Sequence, residues 1–339
     1  MLGAQFMQNA QHARNAQLVQ HLRTVRTTHA HDTRTGDKLI NQRLYSLLAV
    51  AETKSISKAA EMLNLTQPAI SQQIKTLENE FNCKIFQYSE GIMKITEQGE
   101  AVVSSAKRIQ ALYNRCHQTL KDMETKNRHI ILGITRTAEM SGLGEILAEY
   151  CGKNPGTHIK IYTGSITNLY SLVKNYEADL IIVEGSLPDP TLQTIRLDTD
   201  TLVLAMGSEN PLANKEVITL EDLKKQKLIL RLNSSGTRVL FEETLKAHNE
   251  TIDNFNVMLE VNSIGTIMDL VRHNFGVSIM GRSLCLNDVK EKQMVIRTIK
   301  DFEMSREINL VYNPDFPHQD ILTSMKELYL ELKRKQENE

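Results

Sequence analysis

Four polar side chains recur at helical spacing between residues 67 and 75. Gln67, Ser71 and Lys75 are four residues apart and Gln72 follows Ser71, so all four lie on one side of a helix. The apolar residues of the same segment are Ile70, Ile74 and Leu77 at i, i+4 and i+7. Amide, hydroxyl and ammonium groups are those that hydrogen-bond to base edges and phosphates in a DNA major groove. The spacing predicts a helix that buries one face and offers the other to DNA.

Two short helices and a tight turn are needed to position this polar face. We expect Ser57 to cap the first helix, with Glu61 one turn further on. The residues expected to be buried on that helix are Ala59, Ala60 and Leu63. Asn64 tolerates the left-handed conformation that the turn needs, and Thr66 caps the second helix with Pro68 in its first turn. The segment predicts a helix-turn-helix, and the alternative is a solvated amphipathic helix pair.

Residues 39–99 resemble the winged helix-turn-helix of LysR-type transcriptional regulators. The likeness runs through LLAVAETKSISKAAEMLNLTQPAISQQIKTLENEF and continues more weakly over the rest of the chain after Lys38. It implies a regulator that binds double-stranded DNA at an imperfect palindrome as a homodimer or homotetramer. On this basis the residues expected to contact DNA are Ser57, Thr66, Gln67, Pro68, Ser71, Gln72, Lys75 and Lys94.

The predicted wing departs from the family pattern. Family members commonly have two arginines between the positions that correspond to Phe86 and Thr96, where this chain reads IFQYSEGIMKIT. The aligned positions hold Tyr88 and Gly91, so the usual arginine contacts to phosphate or the minor groove are missing. We therefore expect weaker nonspecific affinity and a shallower salt dependence than a wing with two arginines gives.

An apolar heptad pattern follows the wing, from residue 97 to about residue 125. The residues Val102, Ala106, Ile109, Tyr113, Cys116, Leu120 and Met123 are spaced alternately four and three apart. Such a helix either packs on its own domain or pairs with a second copy, and the narrow seam with charged residues outside it favours pairing. Dimerisation also supplies the two half-sites that a single genomic site requires.

Length, composition and charge are consistent with a multidomain regulator. The 339 residues suggest two or three domains, and 41% hydrophobic residues suffice for their cores. Residues 38–95 hold seven Lys/Arg against five Glu in a chain of net charge −1, which favours specific readout over charge-driven wrapping. No apolar run approaches the about 18 residues of a membrane span, so we expect a cytoplasmic bacterial protein without membrane contact. Residues 1–37 are expected to be a disordered extension, an upstream start or a cloning remnant.

The cysteines and histidines give no sign of a metal, cofactor or catalytic site. The four cysteines lie far apart without a CxxC pair, which argues against zinc, disulfides and redox sensing and favours buried thiols. The chain has no GxSxG, no P-loop, no GxGxxG after a strand and no triad or metal spacing among the histidines after the N-terminal segment. We expect no enzyme activity and no cofactor.

Strands and helices alternate from about His129 onward. The strand candidates are HIILGIT, HIKIYTG, DLIIVEG, LVLAMG, KLILRL, FNVMLEV, GVSIMG and EINLVYN. The helix candidates are Leu143–Cys151, Asn168–Tyr176, Thr237–Asn249 and Ile264–Asn274. This predicts an α/β fold with mostly parallel sheets. It resembles the family's two-lobed, periplasmic-binding-protein-like (type 2) sensor domain.

The resemblance and the pattern together divide the chain into four parts. The expected parts are residues 38–96 as winged helix-turn-helix, 97–125 as linker helix, 129–203 with 302–336 as sensor lobe I, and 204–301 as sensor lobe II. The strand around residues 198–208 is expected to cross between lobes, with a return near residues 301–306. A small ligand is expected in the cleft.

Four junctions after strands are rich in hydroxyls and therefore candidates for the ligand cleft. The expected effector-binding residues are Thr135, Arg136, Ser165, Thr167, Ser234, Ser235, Thr237, Arg238 and Ser263. Ligands of open α/β sheets bind beyond the carboxyl ends of strands, and helix N-termini there attract anions. Arg136 and Arg238 favour a small anion such as a carboxylate over a neutral effector.

Alternative interpretations exist for the junction residues and for the function of the whole chain. Each hydroxyl is also explained as a simple N-cap, and Arg238 as a surface ion-pair residue. The alternative function is a solute-binding or protein-interaction module whose helix-turn-helix does not bind DNA.

Overall fold

Tertiary contacts divide the chain between Ala106 and Lys107. The computed structural model describes residues 42–89 and 92–338. The expectations for residues 1–37 and for Gly91 lie outside the described residues.

The N-terminal unit contains three helices, a two-stranded wing and the start of a long helix. Its elements are α1 (Gln42–Thr53), α2 (Ile56–Leu63), α3 (Gln67–Glu80), β1 (Phe86–Ser89), β2 (Ile92–Ile95) and α4 (Glu97–Thr125), which continues into the second unit. β1 and β2 pair antiparallel. The core is built from all four helices and the wing, with Leu47, Ile70, Ile85 and Val103 among its buried residues.

The turn between α2 and α3 has the predicted geometry. Asn64 adopts φ 53° and ψ 42°, which ends α2 in the left-handed conformation. Thr66 accepts a hydrogen bond from the Ala69 backbone N–H and Pro68 lies in the first turn of α3. These predictions are confirmed.

The predicted N-cap of α2 is wrong by two residues. Ser55, not Ser57, has extended backbone and accepts from the Lys58 N–H. Lys54 adopts a positive φ of 51° directly after α1, so the chain already turns there and the next helix begins sooner. Ser57 therefore lies inside the first turn of α2, where it is exposed.

The second unit alternates strands and helices around a mixed sheet. Its strands are β3 (Arg128–Thr135), β4 (Thr157–Gly164), β5 (Leu180–Glu184), β6 (Gln193–Gly207), β7 (Lys227–Arg231), β8 (Asn256–Val261), β9 (Ser278–Gly281), β10 (Met294–Arg297) and β11 (Ser305–Tyr312). Its helices are α5 (Arg136–Met140), α6 (Leu143–Lys153), α7 (Ile166–Lys174), α8 (Leu220–Lys224), α9 (Gly236–Ala247), α10 (Ile264–Arg272), α11 (Arg282–Lys290) and α12 (Gln319–Asn338). Single 3-10 turns lie at Pro211–Asn214 and Ile252–Asn254.

The long strand β6 passes through two hydrophobic cores. Its first part pairs with β11 beside the core that holds Leu197 and Leu310. Its second part, from Leu202 onward, pairs with β9 and β10 beside the core that holds Leu204 and Phe241. We call the part around the first core, with β3, β4 and β5, the first lobe, and the part around the second core, with β7, β8 and β9, the second lobe.

The expectation of mostly parallel sheets is wrong. Among the described residues of the second unit, the pairs β3–β4, β3–β5 and β7–β8 are parallel. The pairs β10–β6, β11–β5, β11–β6 and β6–β9 are antiparallel. For the longest of these pairings, β6 with β11, the physical reason is that the chain crosses between the lobes once in each direction, along β6 and back along β11. The sequence patterns also did not predict five elements of the second unit, namely β10, α5, α8, α11 and α12.

Within residues 42–89 and 92–338, no helix combines the length and apolar character needed to cross a membrane.

Gly99 is predicted to be intolerant of a side chain. It is buried in α4, and a Cβ built on it would lie well inside van der Waals distance of the Ile85 carbonyl oxygen. We expect Gly99→Ala to destabilise the N-terminal unit by about 1–3 kcal/mol, as overpacking does. Urea unfolding followed by circular dichroism measures this.

The matched control is Gly144→Ala in α6. Gly144 is exposed and a Cβ there meets nothing within 4 Å. Alanine has the higher helix propensity, so this variant is expected to be as stable as the parent or slightly more stable. Equal stability of the two variants would contradict the tight approach of α4 to Ile85.

Candidate functional site

The outward face of α3 carries the polar residues expected to read DNA. The side chains of Gln67, Pro68, Ser71, Gln72 and Lys75 are exposed on this helix. The opposite face, formed by Ile70, Ile74 and Leu77, is buried in the core of the N-terminal unit. The predicted division of α3 into an apolar and a polar face is therefore present.

Side-chain contacts at the middle and at the C-terminal end of α3 hold this helix in position. Gln73 on α3 accepts a hydrogen bond from the Ser46 hydroxyl on α1. Glu78 accepts from the Ile85 backbone N–H at 3.0 Å and from Lys84 Nζ at 2.8 Å. Burial acts to raise the pKa of Glu78, but the hydrogen bonds from Lys84 and Ile85 outweigh it, and the pKa is lowered. Glu78 thus joins α3 to the start of the wing as a carboxylate.

The remaining residues expected to contact DNA lie on other elements of the same unit. Ser57 is exposed on α2, Thr66 caps α3 and Lys94 is exposed on β2. On the wing, Tyr88 is 68% exposed at a position where an arginine was expected from the family pattern. The wing therefore presents an aromatic ring there and only one lysine on β2.

The heptad residues of α4 form an exposed apolar stripe in the single chain. The exposed large members are Ile109, Leu120 and Met123, with Leu120 55% and Met123 72% exposed. Ala106, by contrast, is buried in the N-terminal core. From residue 109 onward the stripe is thus available to a second helix.

Other side chains attach the second half of α4 to the first lobe. Arg108 Nε donates to Asn175 Oδ1 at 3.2 Å, and Arg115 lies 3.5 Å from Asp179. Asp122 accepts from the His129 backbone N–H at 2.9 Å. Through these contacts α4 and the first lobe are joined along several turns of the helix.

The junction hydroxyls fall into two groups. Thr135 caps α5, Ser165 caps α7 and Ser263 caps α10, each accepting a backbone N–H. Ser235 is at the N-cap of α9 but makes no side-chain capping hydrogen bond. The N-cap explanation accounts for the first three hydroxyls and leaves that of Ser235 unexplained.

The other predicted effector residues lie at the same junctions. Thr167 and Ser234 are exposed, and Thr237 is buried in the first turn of α9. Arg136 at the start of α5 is exposed and donates to Asn262 Oδ1, just before α10. This bond connects the first lobe to the second.

Between the lobes lies a set of buried charged residues. Arg306 on β11 donates to Asp200 Oδ2 on β6 at 3.0 Å and to Thr237 Oγ1 at 3.2 Å. Thr135 donates to Glu184 Oε2 at the end of β5 at 2.5 Å. Burial raises the pKa of Glu184, against the opposing effects of the Arg306 charge and the Thr135 hydrogen bond.

Arg231, at the end of β7, lies beside this set and is half-buried. Burial, reinforced by the like charges of Arg136 and Arg306, lowers its pKa, and Glu184 acts in the opposite direction. The sequence reasoning missed four of these residues, namely Glu184, Asp200, Arg231 and Arg306. A charged residue that ends an apolar strand, as in LIIVE and KLILR, was the available signal for Glu184 and Arg231.

Arg238 is placed differently from expectation. It is buried, and its guanidinium contacts Glu242 and lies 3.3 Å from Glu260. It lines a depression of about 570 Å³ beside β8 that includes none of the other predicted effector residues. Because two carboxylates balance its charge, this placement argues against Arg238 as the partner of an anionic effector. It is an ion-pair residue, but a buried one.

The cysteines are in dissimilar surroundings. Cys285 is fully buried, and burial raises the pKa of its thiol to about 12, which makes it inert. Cys116 is exposed on α4, so the expectation of buried thiols fails there because the single chain leaves that stripe uncovered. In the described part of the chain, no group of three or more His, Cys, Asp or Glu side chains is placed to hold a metal ion.

Two family models match the chain. The model of the bacterial regulatory helix-turn-helix protein, lysR family, matches residues 41–100, which include α1 to β2. The model of the LysR substrate binding domain matches residues 124–332, more than half of the chain.

Similar proteins include regulators and their complexes. A probable RuBisCO transcriptional regulator from Trieres chinensis is 27% identical over 280 residues, covering 81% of this chain and 91% of that protein. Full-length CbnR complexed with its target DNA has a TM-score of 0.62 at 16% identity, covering 86% of this chain and 98% of that one. The effector binding domain of QuiR in complex with shikimate has a TM-score of 0.50 at 20% identity, covering 62% and 98%. At these identities the two structures show the fold alone.

Removal of the Asp200 charge is predicted to be costly. The Asp200 and Arg306 side chains are only 4% and 7% exposed, so Asp200→Asn leaves a buried guanidinium uncompensated. We expect a loss of about 3–5 kcal/mol in the free energy of unfolding of the sensor part. The matched control is Glu221→Gln, which breaks the exposed pair with Lys224 and is expected to cost less than about 1 kcal/mol. A similar small loss in both variants, measured by chemical denaturation, would refute the importance of the buried pair.

Proposed function

The chain belongs to the LysR family of transcriptional regulators, and we propose that it recognises an imperfect palindrome through α3 and responds to a small anionic effector between its sensor lobes. The observation that carries the DNA-binding part is the two-faced character of α3. Its apolar face is buried, while Gln67, Ser71, Gln72 and Lys75 are exposed at helical spacing.

These exposed side chains suit direct readout in a major groove. Glutamine amides pair with adenine edges, and serine hydroxyls and lysine ammonium groups reach base edges or phosphates. Pro68, and the flanking Ser57, Thr66 and Lys94, would contact the backbone and fix the register. The CbnR complex with target DNA, whose fold is similar, supports this use of the N-terminal unit. The exposed Tyr88 and the few cations fit the expectation of a shallow salt dependence.

We propose that α4 pairs with its copy to form a homodimer, from which a homotetramer is built by sensor pairing. The exposed Ile109, Leu120 and Met123 lie in the heptad seam and supply an apolar surface for a second helix. Two recognition helices then read two half-sites, which multiplies the discrimination against other genomic sites.

We propose that the effector binds at the junctions between the lobes. The residues proposed to line this cleft are Thr135, Arg136, Ser165, Thr167, Ser234, Ser235, Thr237 and Ser263. The uncapped Ser235 hydroxyl and the exposed Arg136 are suited to an anion such as a carboxylate. The QuiR effector binding domain, solved in complex with shikimate, has a similar fold. The effector changes transcription only if it binds two lobe arrangements with different affinity.

The proposed division of the chain follows from these roles. Residues 38–96 bind DNA, residues 97–125 dimerise, residues 129–203 with 302–336 form lobe I and residues 204–301 form lobe II. The protein acts where its operator lies, in the bacterial cytoplasm, and we assign it no enzymatic role.

Gln72→Ala tests the recognition face. A DNA site is first selected by the wild-type protein from a random pool, and fluorescence anisotropy then compares that site with single-base variants. We expect the variant to lose about 1–3 kcal/mol of discrimination at one base pair of each half-site. Ser235→Ala is the control, expected to keep the DNA preference but to lose thermal stabilisation by small carboxylates. An unchanged preference in Gln72→Ala would show that α3 has been assigned the wrong role.

Leu120→Glu tests pairing through α4. A carboxylate in the apolar seam is expected to convert the dimer to monomer at micromolar concentration, because the charge would be buried without a partner. Asn114→Glu introduces the same charge at an exposed position outside the heptad seam and is expected to leave the dimer intact. Sedimentation velocity separates the species, and dimers in both variants would argue for a different interface.

A further inference from the structure

Two arginine side chains near the junction of the lobes have guanidinium N–H groups without a hydrogen-bond acceptor. The side chain of the half-buried Arg231 makes no hydrogen bond and no ion pair within 4 Å in the described part of the chain, and its Nε is fully enclosed. Arg306 is bonded to Asp200 and Thr237, but its own Nε is also buried without an acceptor. Buried N–H donors are nearly always bonded, so two unbonded guanidinium edges near each other point to an acceptor from outside the protein.

The charges at this place do not balance. Arg136 and Arg306 are both close enough to act on Arg231, and Asp200 is ion-paired with Arg306. Glu184 is also close enough to act on Arg231, but its carboxylate accepts the Thr135 hydroxyl and makes no ion pair within 4 Å in the described part of the chain, so two carboxylates face three guanidinium groups. Arg231 is consequently left with two cationic neighbours and a lowered pKa.

We propose that Arg231 and Arg306, assisted by Arg136, form the oxyanion-binding part of the effector cleft and that the effector carries a carboxylate, sulfate or phosphate group there. This inference rests on the proposed function and specifies the residues and the ligand chemistry of that site. Planar guanidinium groups offer paired N–H donors that match such oxyanions.

Further donors lie next to Arg231 in the chain. The loop of residues 232–235 leads from Arg231 into α9, whose N-terminal amides point beyond the helix. Ser235 at this N-cap keeps its hydroxyl uninvolved in capping. A 12-residue helix adds a positive dipole end to the same place.

The location gives the anion a mechanical effect. Arg136 belongs to the first lobe, Arg231 to the second, and Arg306 lies on β11, which connects them. Without an anion, like charges on the two lobes repel one another. An oxyanion that contacts arginines of both lobes replaces this repulsion with attraction. It therefore binds more tightly when the two lobes are close together. This supplies the differential affinity that regulation requires.

The test compares Arg231→Gln with the full-length wild type and uses sulfate, inorganic phosphate and succinate as probes. Chloride at equal ionic strength and neutral succinamide are the reference solutes. We expect saturable stabilisation of the wild type by at least one oxyanion in thermal unfolding, with affinity about 10- to 100-fold weaker in Arg231→Gln. Arg231→Lys retains the positive charge but lacks the paired N–H donors of a guanidinium, so its anion affinity is expected to be intermediate.

Arg238→Gln is the matched control, since Arg238 also has a buried guanidinium nitrogen without a hydrogen-bond partner, Nη1, but is ion-paired with Glu242 and Glu260. Without added anion, Arg238→Gln is expected to lower Tm, because it leaves a carboxylate cluster unpaired. Arg231→Gln is expected to keep or raise Tm, because it removes an unpaired, repelled charge. In anion binding, Arg238→Gln should match the wild type.

Three outcomes overturn the inference. They are equal anion affinity in Arg231→Gln and wild type, a fall in Tm of Arg231→Gln as large as in Arg238→Gln, and no saturable effect of any probe on the wild type. DNA binding to the selected site is measured in parallel. Intact sequence-specific binding with any of these outcomes rejects the oxyanion site alone, whereas loss of specific binding in the wild type rejects the proposed function.

Discussion

The ion pair between Arg306 and Asp200 is the contact on which the arrangement of the sensor lobes depends. It joins β11 to β6 where both strands pass from one lobe to the other, and both side chains are buried. The surroundings leave it little freedom, since a Cβ on Gly281 would lie 2.5 Å from Asp200 Oδ2. Arg306 also donates to Thr237 on α9. Desolvating two charges gives little net stability, but the requirement for their pairing favours one lobe geometry over others.

Around this pair, the charge of the cleft is divided unequally. Arg306 is neutralised by Asp200, and Arg238 by two glutamates, whereas Arg231 has no such partner. A partly buried charge without a partner is unfavourable, and a bound anion would relieve it. This difference between Arg231 and Arg238, seven residues apart in sequence, is the basis for proposing a binding role for the first and a structural role for the second.

The first lobe is directly connected to α4. Arg115 pairs with Asp179, whose pKa is raised by burial despite the nearby arginine, and Asp122 bonds the start of β3. The helix proposed to carry the dimer seam is therefore in direct contact with the first lobe. Under the proposed function, this continuous helix would both pair with a second copy and respond to the sensor.

The sequence by itself determined the features that depend on neighbours along the chain. The left-handed turn at Asn64, the cap at Thr66 and the buried face of α3 follow from local backbone preference and 3.6-residue periodicity, and the structure agrees with all three. The α/β alternation was evident for the same reason. Local signals failed where two similar residues competed, as for Ser55 and Ser57, since the end of α1 decided the start of α2.

Only the tertiary structure decided which charged residues meet. Asp200 and Arg306 are 106 positions apart, and nothing local to either predicts that they pair. The direction of the strands, antiparallel around β6 and β11, likewise follows from how the chain returns between lobes and not from strand composition. Arg231 and Arg238 look alike in sequence, and their burial and partners separated them. Pairing and desolvation are properties of distant groups brought together, and so the sequence alone leaves them open.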